Sequence, residues 1–228
     1  MQRSDETLGR PVIASVGTRR SSRGFTLLEL LSVIAIIGIL AALIFPAVGA
    51  ARRSANKAKT RVQFSQWAAA IESFRSEYGY YPSFHSTNLV NPAGQSTDAS
   101  ALHLFHDLLA ARRRNGDALP TYATTTNAQF PEAQNRKRIS FYSFGEAELS
   151  AANLVRDAFD NTAIAVLVDR NLDGVIRAGS DFTTLPAVNG MTPTTDDFPT
   201  TGVRAGVLFY VPAPNATSES PEFIFSWK

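Results

Sequence analysis

The chain contains no cysteine, which removes disulfide staples, thiol nucleophiles and cysteine-ligated zinc from consideration. Histidine is nearly absent too, with three in 228 residues. His103 and His106 lie one helical turn apart, but no third or fourth ligand follows at a telling spacing, so the pair reads as a solvated helix face. No nucleophile elbow, glycine-rich phosphate loop or H-E-x-x-H zinc helix occurs, and nothing in the motifs argues for an enzyme. Charge is sparse at 18% and uneven: residues 1 to 24 carry five arginines against Asp5 and Glu6, a net +3. The whole chain is +2, so the remainder is close to neutral at −1. The pI of about 9.0 therefore reports the first residues and not a basic surface. What is plentiful is apolar side chain, 44% of the total, enough for a real core in one domain or two small ones.

Much of that apolar content sits in one run, Phe25 to Val48, whose single ionisable side chain is Glu29. As a helix its 24 residues would cover about 36 Å, enough for a bilayer core. The run is too long for the apolar part of a secretory signal, although Val48-Gly49-Ala50 offers a small-x-small cleavage site. A plain membrane anchor accommodates the length and leaves Glu29 without a purpose. Flanking cations do not orient the span, because Arg10, Arg19, Arg20 and Arg23 precede it while Arg52, Arg53, Lys57, Lys59 and Arg61 follow it. A carboxylate within hydrocarbon costs up to a few kcal/mol and normally has a partner, and no base inside the run can serve.

Ser21-Ser22-Arg23-Gly24-Phe25-Thr26-Leu27-Leu28-Glu29 places a basic stretch, a glycine and a phenylalanine ahead of that carboxylate, with Gly38 and Pro46 further along. This resembles the class III signal of type IV pilins and type II secretion pseudopilins. The resemblance implies that a prepilin peptidase cuts after Gly24 and methylates the new amino terminus at Phe25, and that Pro46 marks a softened stretch of the first helix. It implies a single-pass protein of the bacterial inner membrane with its head in the periplasm. Its partners would be further copies of itself, other pilin-like subunits, the peptidase and an inner-membrane assembly platform. No cofactor is required in such a scheme, and nucleic acid is not among the partners expected. Cleavage would create an ammonium next to an orphaned anion, and the pairing of Glu29 with its own or a neighbour's amine would set the register of stacked helices.

The expected organisation is a cleaved leader (1–24), a membrane and polymerisation half-helix (25–48), a stalk half-helix (49–82) and a globular head (83–228). The fold class is α+β and pilin-like, with the long helix packed on a small antiparallel sheet. Phe64, Trp67, Ala68, Ile71, Phe74 and Tyr78 form a helical stripe that should face that sheet, with Gly79 and Pro82 ending the helix. A second helix is expected over 99–113, capped by Asp98, followed by an exposed loop over 115–137. Strands are expected at 139–144, 163–168, 207–211 and 223–227, the last two as a hairpin. Asp169, Asn171 and Asp173 alternate before Gly174, and with the Val175 carbonyl and Asp181 they could wrap a calcium ion. The same residues equally describe an Asx-rich turn without metal. Arg112-Arg113-Arg114 and Arg136-Lys137-Arg138 are the remaining charge clusters. The leading functional reading is a structural subunit polymerising through its first helix, most like a type II secretion pseudopilin. The alternative is a membrane-tethered minor pilin whose head binds DNA, a surface or a ligand.

Overall fold

The computed structural model describes residues 24–84, 87–92, 103–123 and 127–228. Helix α1, Leu27–Tyr78, has 52 residues and continues through Pro46. It contributes to both compact units of the chain, one ending at Gly49 and the other spanning Ala50–Lys228. The helix ends where Gly79 takes a φ of +79 and gives its N–H to the Arg75 carbonyl at 2.7 Å, a left-handed stop that costs glycine nothing.

Within Ala50–Lys228, the stripe on α1 is the centre of the core. Phe64, Trp67, Ile71 and Phe74 are fully buried, with Ala68 and Tyr78 at the margin. Trp67 sits among Phe64, Phe105 and Phe209 at ring separations of 5.6 to 5.8 Å and donates its indole N–H to Glu148 at 3.0 Å. That hydrogen bond satisfies the one polar atom of a ring otherwise placed in hydrocarbon.

The sheet has three antiparallel strands in the order β1 (Ala165–Val168), β2 (Val207–Pro212) and β3 (Phe223–Phe225). Val168 pairs with Val207 and Ala165 with Tyr210, while Pro212 pairs with Phe223 across the expected hairpin. Val166, Val168, Phe209, Val211 and Ile224 face the α1 stripe. The alternate residues Leu167, Leu208, Tyr210, Phe223 and Phe225 join a second cluster with Ile176, Phe182, Val188 and Phe198. Both faces are thus covered, which is why the strands are nearly continuous apolar runs. The outer edge of β1 is also paired, through Val166 N–H to the Asn88 carbonyl at 2.8 Å and Val90 N–H to the Ile164 carbonyl at 2.9 Å.

Three expectations need correction. The second helix, α2, is Leu104–Ala110 and ends before Arg113, because Ala111 turns left-handed at φ 55; Asp98 and residues 99–102 lie outside the described residues. The segment 139–144 forms no strand. Phe141 and Tyr142 both give their N–H groups to the Leu109 carbonyl, at 2.8 and 3.1 Å, an acceptor left free by the end of α2. The segment 115–137 is not uniformly exposed, for it contains the buried turn α3, Pro131–Gln134, with proline in its first turn. Asn135 behind it is fully buried and uses its whole side-chain capacity: it donates to the Leu108 and Ile139 carbonyls and accepts from Tyr78 and the Ile139 N–H.

Candidate functional site

The sequence directs attention to the start of α1. Gly24, Phe25 and Thr26 precede the helix, and Phe25 is 84% exposed. The bond between Gly24 and Phe25 therefore lies in non-helical chain. A Cβ at Gly24 would meet no described atom within 4 Å.

Thr26 is the N-cap of α1 and Glu29 its third helical residue. Thr26 gives its backbone N–H and its hydroxyl to one oxygen of Glu29, at 2.9 and 2.8 Å. The Glu29 N–H returns a bond to the Thr26 hydroxyl at 3.2 Å. This is a capping box, T-x-x-E, in which two helix-start donors are satisfied reciprocally. Glu29 is thus not orphaned in the intact chain, as the reading of its charge alone expects. Thr26 is the residue that reading missed, although its spacing to Glu29 was in plain view. Both Thr26 bonds go to Oε2, and Oε1 takes neither.

The apolar run beyond is bare. Leu27, Leu28, Ile34, Ile37 and Ile39 are each more than half exposed, and none of the most apolar 18-residue window is buried. It belongs to the one helix, among the described residues, that is long and apolar enough to cross a membrane. Such a surface needs lipid or other helices around it. Gly38 lies mid-helix with no described atom within 4 Å of a Cβ, so this chain's packing does not require it either.

In the head, the Asp169 to Asp181 loop is closed by its own hydrogen bonds. Buried Asp169 accepts the N–H groups of Asp173 at 3.2 Å and Gly174 at 2.7 Å. Asp173 accepts from Val175 N–H at 2.9 Å and pairs with Arg177. The Val175 N–H bond is the main cause holding the Asp173 carboxyl below its ordinary range. Buried Asp181 accepts from Arg170 N–H at 2.8 Å, Arg177 N–H at 2.9 Å and the Ser180 hydroxyl at 2.6 Å. Asn171 caps the Asp173 N–H at 3.3 Å. No three acid, histidine or cysteine side chains gather to hold a metal among the described residues. In this arrangement the loop is an Asx-rich turn whose carboxylates are engaged by its own N–H groups.

The histidine pair is not a solvated face either. His106 is buried against Asp107 at 2.8 Å, and Asp107 also takes Arg113 at 3.3 Å. The basic clusters are occupied as well: Arg113 reaches Glu132, Arg114 reaches Asn153, Lys137 pairs with Glu77, and Arg136 stacks on Tyr122. These cations hold loops together.

Residues 19–45 match the family model for the prokaryotic N-terminal methylation motif. The chain thus carries a prepilin-type methylation motif over these residues. It is similar to the type II secretion system core protein G of Pectobacterium carotovorum, 32% identical over 83 residues, which cover 36% of this chain and 52% of that protein. It is also similar to the type IV wide pilus major component PilA4 of Thermus thermophilus, 37% identical over 81 residues, covering 36% of this chain and 61% of that one. The chain thus spans little more than half the length of these relatives. No solved structure matches it. With its long first helix and small antiparallel sheet, the fold is α+β and pilin-like.

Proposed function

We propose that this chain is a structural subunit that a prepilin peptidase processes after Gly24 and that polymerises through α1 into a pilus or pseudopilus. Hydrolysis of the bond between Gly24 and Phe25 adds water, leaves a carboxylate on Gly24 and creates an ammonium on Phe25. The peptidase then transfers a methyl group from a sulfonium methyl donor to that amine, which loses a proton as the donor departs as a thioether, and the leader arginines leave with the cleaved segment. The carrying observation is the exposed, non-helical bond ahead of a bare apolar run, 25–48, whose only charged side chain is Glu29. A glycine supports the reading, because a Cβ at Gly38 would meet no described atom within 4 Å. An interior helical glycine costs about 1 kcal/mol relative to alanine, so the need for it at Gly38 lies in another molecule, a neighbouring helix.

Glu29 supplies the register. Its Oε2 is engaged by Thr26, while Oε1 takes neither of those bonds and can accept from the amine of an adjacent subunit. In a low dielectric that pairing defines where an incoming helix stops along an otherwise greasy surface. The chain's work is then addition of subunits and no chemical catalysis. Of the machines that the two relatives' names describe, we assign it to type II secretion, supported by the core protein G likeness and the aromatic closing strand β3.

Amino-terminal and intact-mass analysis of the membrane-extracted protein tests the first step, with a methylated Phe25 start expected. An Ala51 start or an uncut Met1 overturns the proposal. Glu29→Ala should insert and be cleaved normally yet fail to form regular filaments. Deleting the chain should abolish export of secreted proteins and leave surface pili intact if the type II assignment is right.

A further inference from the structure

Five cations, Arg52, Arg53, Lys57, Lys59 and Arg61, follow the apolar run on α1, with no acid among residues 49–61. None of them forms an ion pair among the described residues, and all but the half-buried Lys57 are exposed. Arg53 and Lys57 line a cleft of about 300 Å³ that Glu222 also lines, without coming within ion-pair distance. The remainder of the chain, 62–228, has 12 Lys+Arg against 17 Asp+Glu, a net −5 beside a net +5.

The arrangement of these cations indicates what they meet. At about 100° per residue, measured from Arg52, the other four fall near 100°, 140°, 340° and 180° around the helix. They occupy more than half of its circumference and form no single stripe. A protein partner docks on one side of a helix, whereas a layer that the helix passes through touches all sides. Arg52 and Arg53 are four and five residues past Val48, a rise of about 6 to 8 Å, which matches the headgroup layer on one side of a bilayer. The other three lie further along, but helical side chains lean toward the helix amino terminus, and long basic stems extend the charge in that direction.

We propose that Arg52, Arg53, Lys57, Lys59 and Arg61 form a collar that binds the phosphates of anionic phospholipids in the leaflet nearest the head. The inference rests on the membrane-anchored reading above. The collar draws the base of the helix onto the surface, and the net negative remainder of the chain is repelled by that same surface. The leader arginines play no part once residues 1–24 are removed.

The absence of cysteine provides the test, because Ala58→Cys introduces the sole thiol of the chain, at an exposed collar position. The spin-labelled full chain is placed in nanodiscs at one copy per disc, in phosphatidylcholine alone or enriched in phosphatidylglycerol. The expected result is a several-fold lower accessibility of the label to an aqueous relaxation agent in the anionic discs. That difference should collapse at about 1 M salt and in a variant with all five cations replaced by glutamine. Equal accessibility in the two lipids overturns the proposal. A difference that arises only in discs holding two copies, in either lipid, also overturns it and assigns the collar to the acidic surface of a second copy. A label at Leu40→Cys separates failure of the underlying reading: if it is open to water in both lipids, the apolar run does not span.

Discussion

Thr26 donates its backbone N–H and its hydroxyl to a single oxygen of Glu29, at 2.9 and 2.8 Å. A glutamate whose charge would otherwise face hydrocarbon alone is thereby secured by its own helix start, before any neighbour arrives. In the proposed assembly the same residue also reads an incoming subunit, and because the Thr26 bonds engage Oε2 alone the two roles can be separated by mutation.

Thr26→Ala removes the hydroxyl and leaves both the backbone N–H and Glu29. It should cost about 1 kcal/mol at the helix start, the usual loss on removing a threonine cap. The expected phenotype is normal cleavage with slower filament growth, in contrast to the failed assembly of Glu29→Ala. Thr26→Ser should behave as wild type. Filament counts together with amino-terminal mass analysis distinguish these outcomes. Indistinguishable growth of Thr26→Ala and wild type would show that the cap does not matter to assembly.

Gly206 approaches the α1 side of the core so closely that a Cβ there would lie 2.0 Å from a Glu72 carboxylate oxygen and 2.1 Å from the Tyr81 hydroxyl. Those two groups are bonded to each other at 2.7 Å, so neither moves without breaking the contact. Gly206→Ala should destabilise the head by about 1 to 3 kcal/mol, the range for overpacking. Removing the obstructing groups with Tyr81→Phe and Glu72→Ala should recover part of the loss. Thermal unfolding of the single and combined variants measures the coupling, and strict additivity would count against the steric account.

The features that regular periodicity governs were legible in the sequence. The stripe from Phe64 to Tyr78, the Gly79 stop and the hairpin of β2 with β3 stand where spacing and turn chemistry place them. What periodicity cannot see is irregular chain that packs well. Phe182 and Phe198 belong to a stretch rich in threonine and proline, yet they meet edge to face at 5.4 Å, and Phe198 meets Trp227 at 5.8 Å, over the second face of the sheet. Pro131 to Asn135 reads as loop because its buried side chains are mostly polar, and their burial depends on hydrogen bonds to distant residues such as Tyr78 and Ser83. At the amino terminus the cap was visible as T-x-x-E. It was overlooked because the same residues also spell a processing signal. Gly38 is not explained by periodicity, since among the described residues a Cβ there has open space around it.

His103 gives the head a pH dependence of known sign. Burial is the main cause pushing its imidazole below the ordinary value of 6.5, with Arg114, His106 and Arg113 adding to the effect and Asp107 opposing it. The unfolded chain therefore binds the proton more readily than the folded one. Stability should be fully present above about pH 6.5 and decline as pH falls through that value toward the lower folded pKa, where the loss levels off. His103→Gln should flatten this part of the profile. A wild-type melting temperature that stays level, or rises, on going from pH 7.5 to 5.5 would contradict the assignment, provided the variant behaves the same way.

Asp169 and Asp181 face each other's backbone segments and together accept four N–H groups, those of Arg170, Asp173, Gly174 and Arg177. Each carboxylate does locally what a bound cation would do from the centre of the loop, which is to hold successive turns in place. Removing one takes the acceptor from two N–H groups on exposed or half-buried residues, where water can replace it, at a net cost of about 0.5 to 1.5 kcal/mol for each bond. Asp181→Ala should therefore lower the melting temperature of the full chain by roughly 2 °C or more, at about 2 to 4 °C per kcal/mol for a domain of this size. Asp181→Asn keeps one acceptor oxygen and should lose less. Because the carboxylates are already engaged, chelation of calcium should leave the wild-type melting temperature where it was, and added calcium should not raise it. A downward shift on chelation, abolished in Asp169→Asn, would show that the loop rearranges around a metal and that its hydrogen-bonded form is the resting state of a binding site.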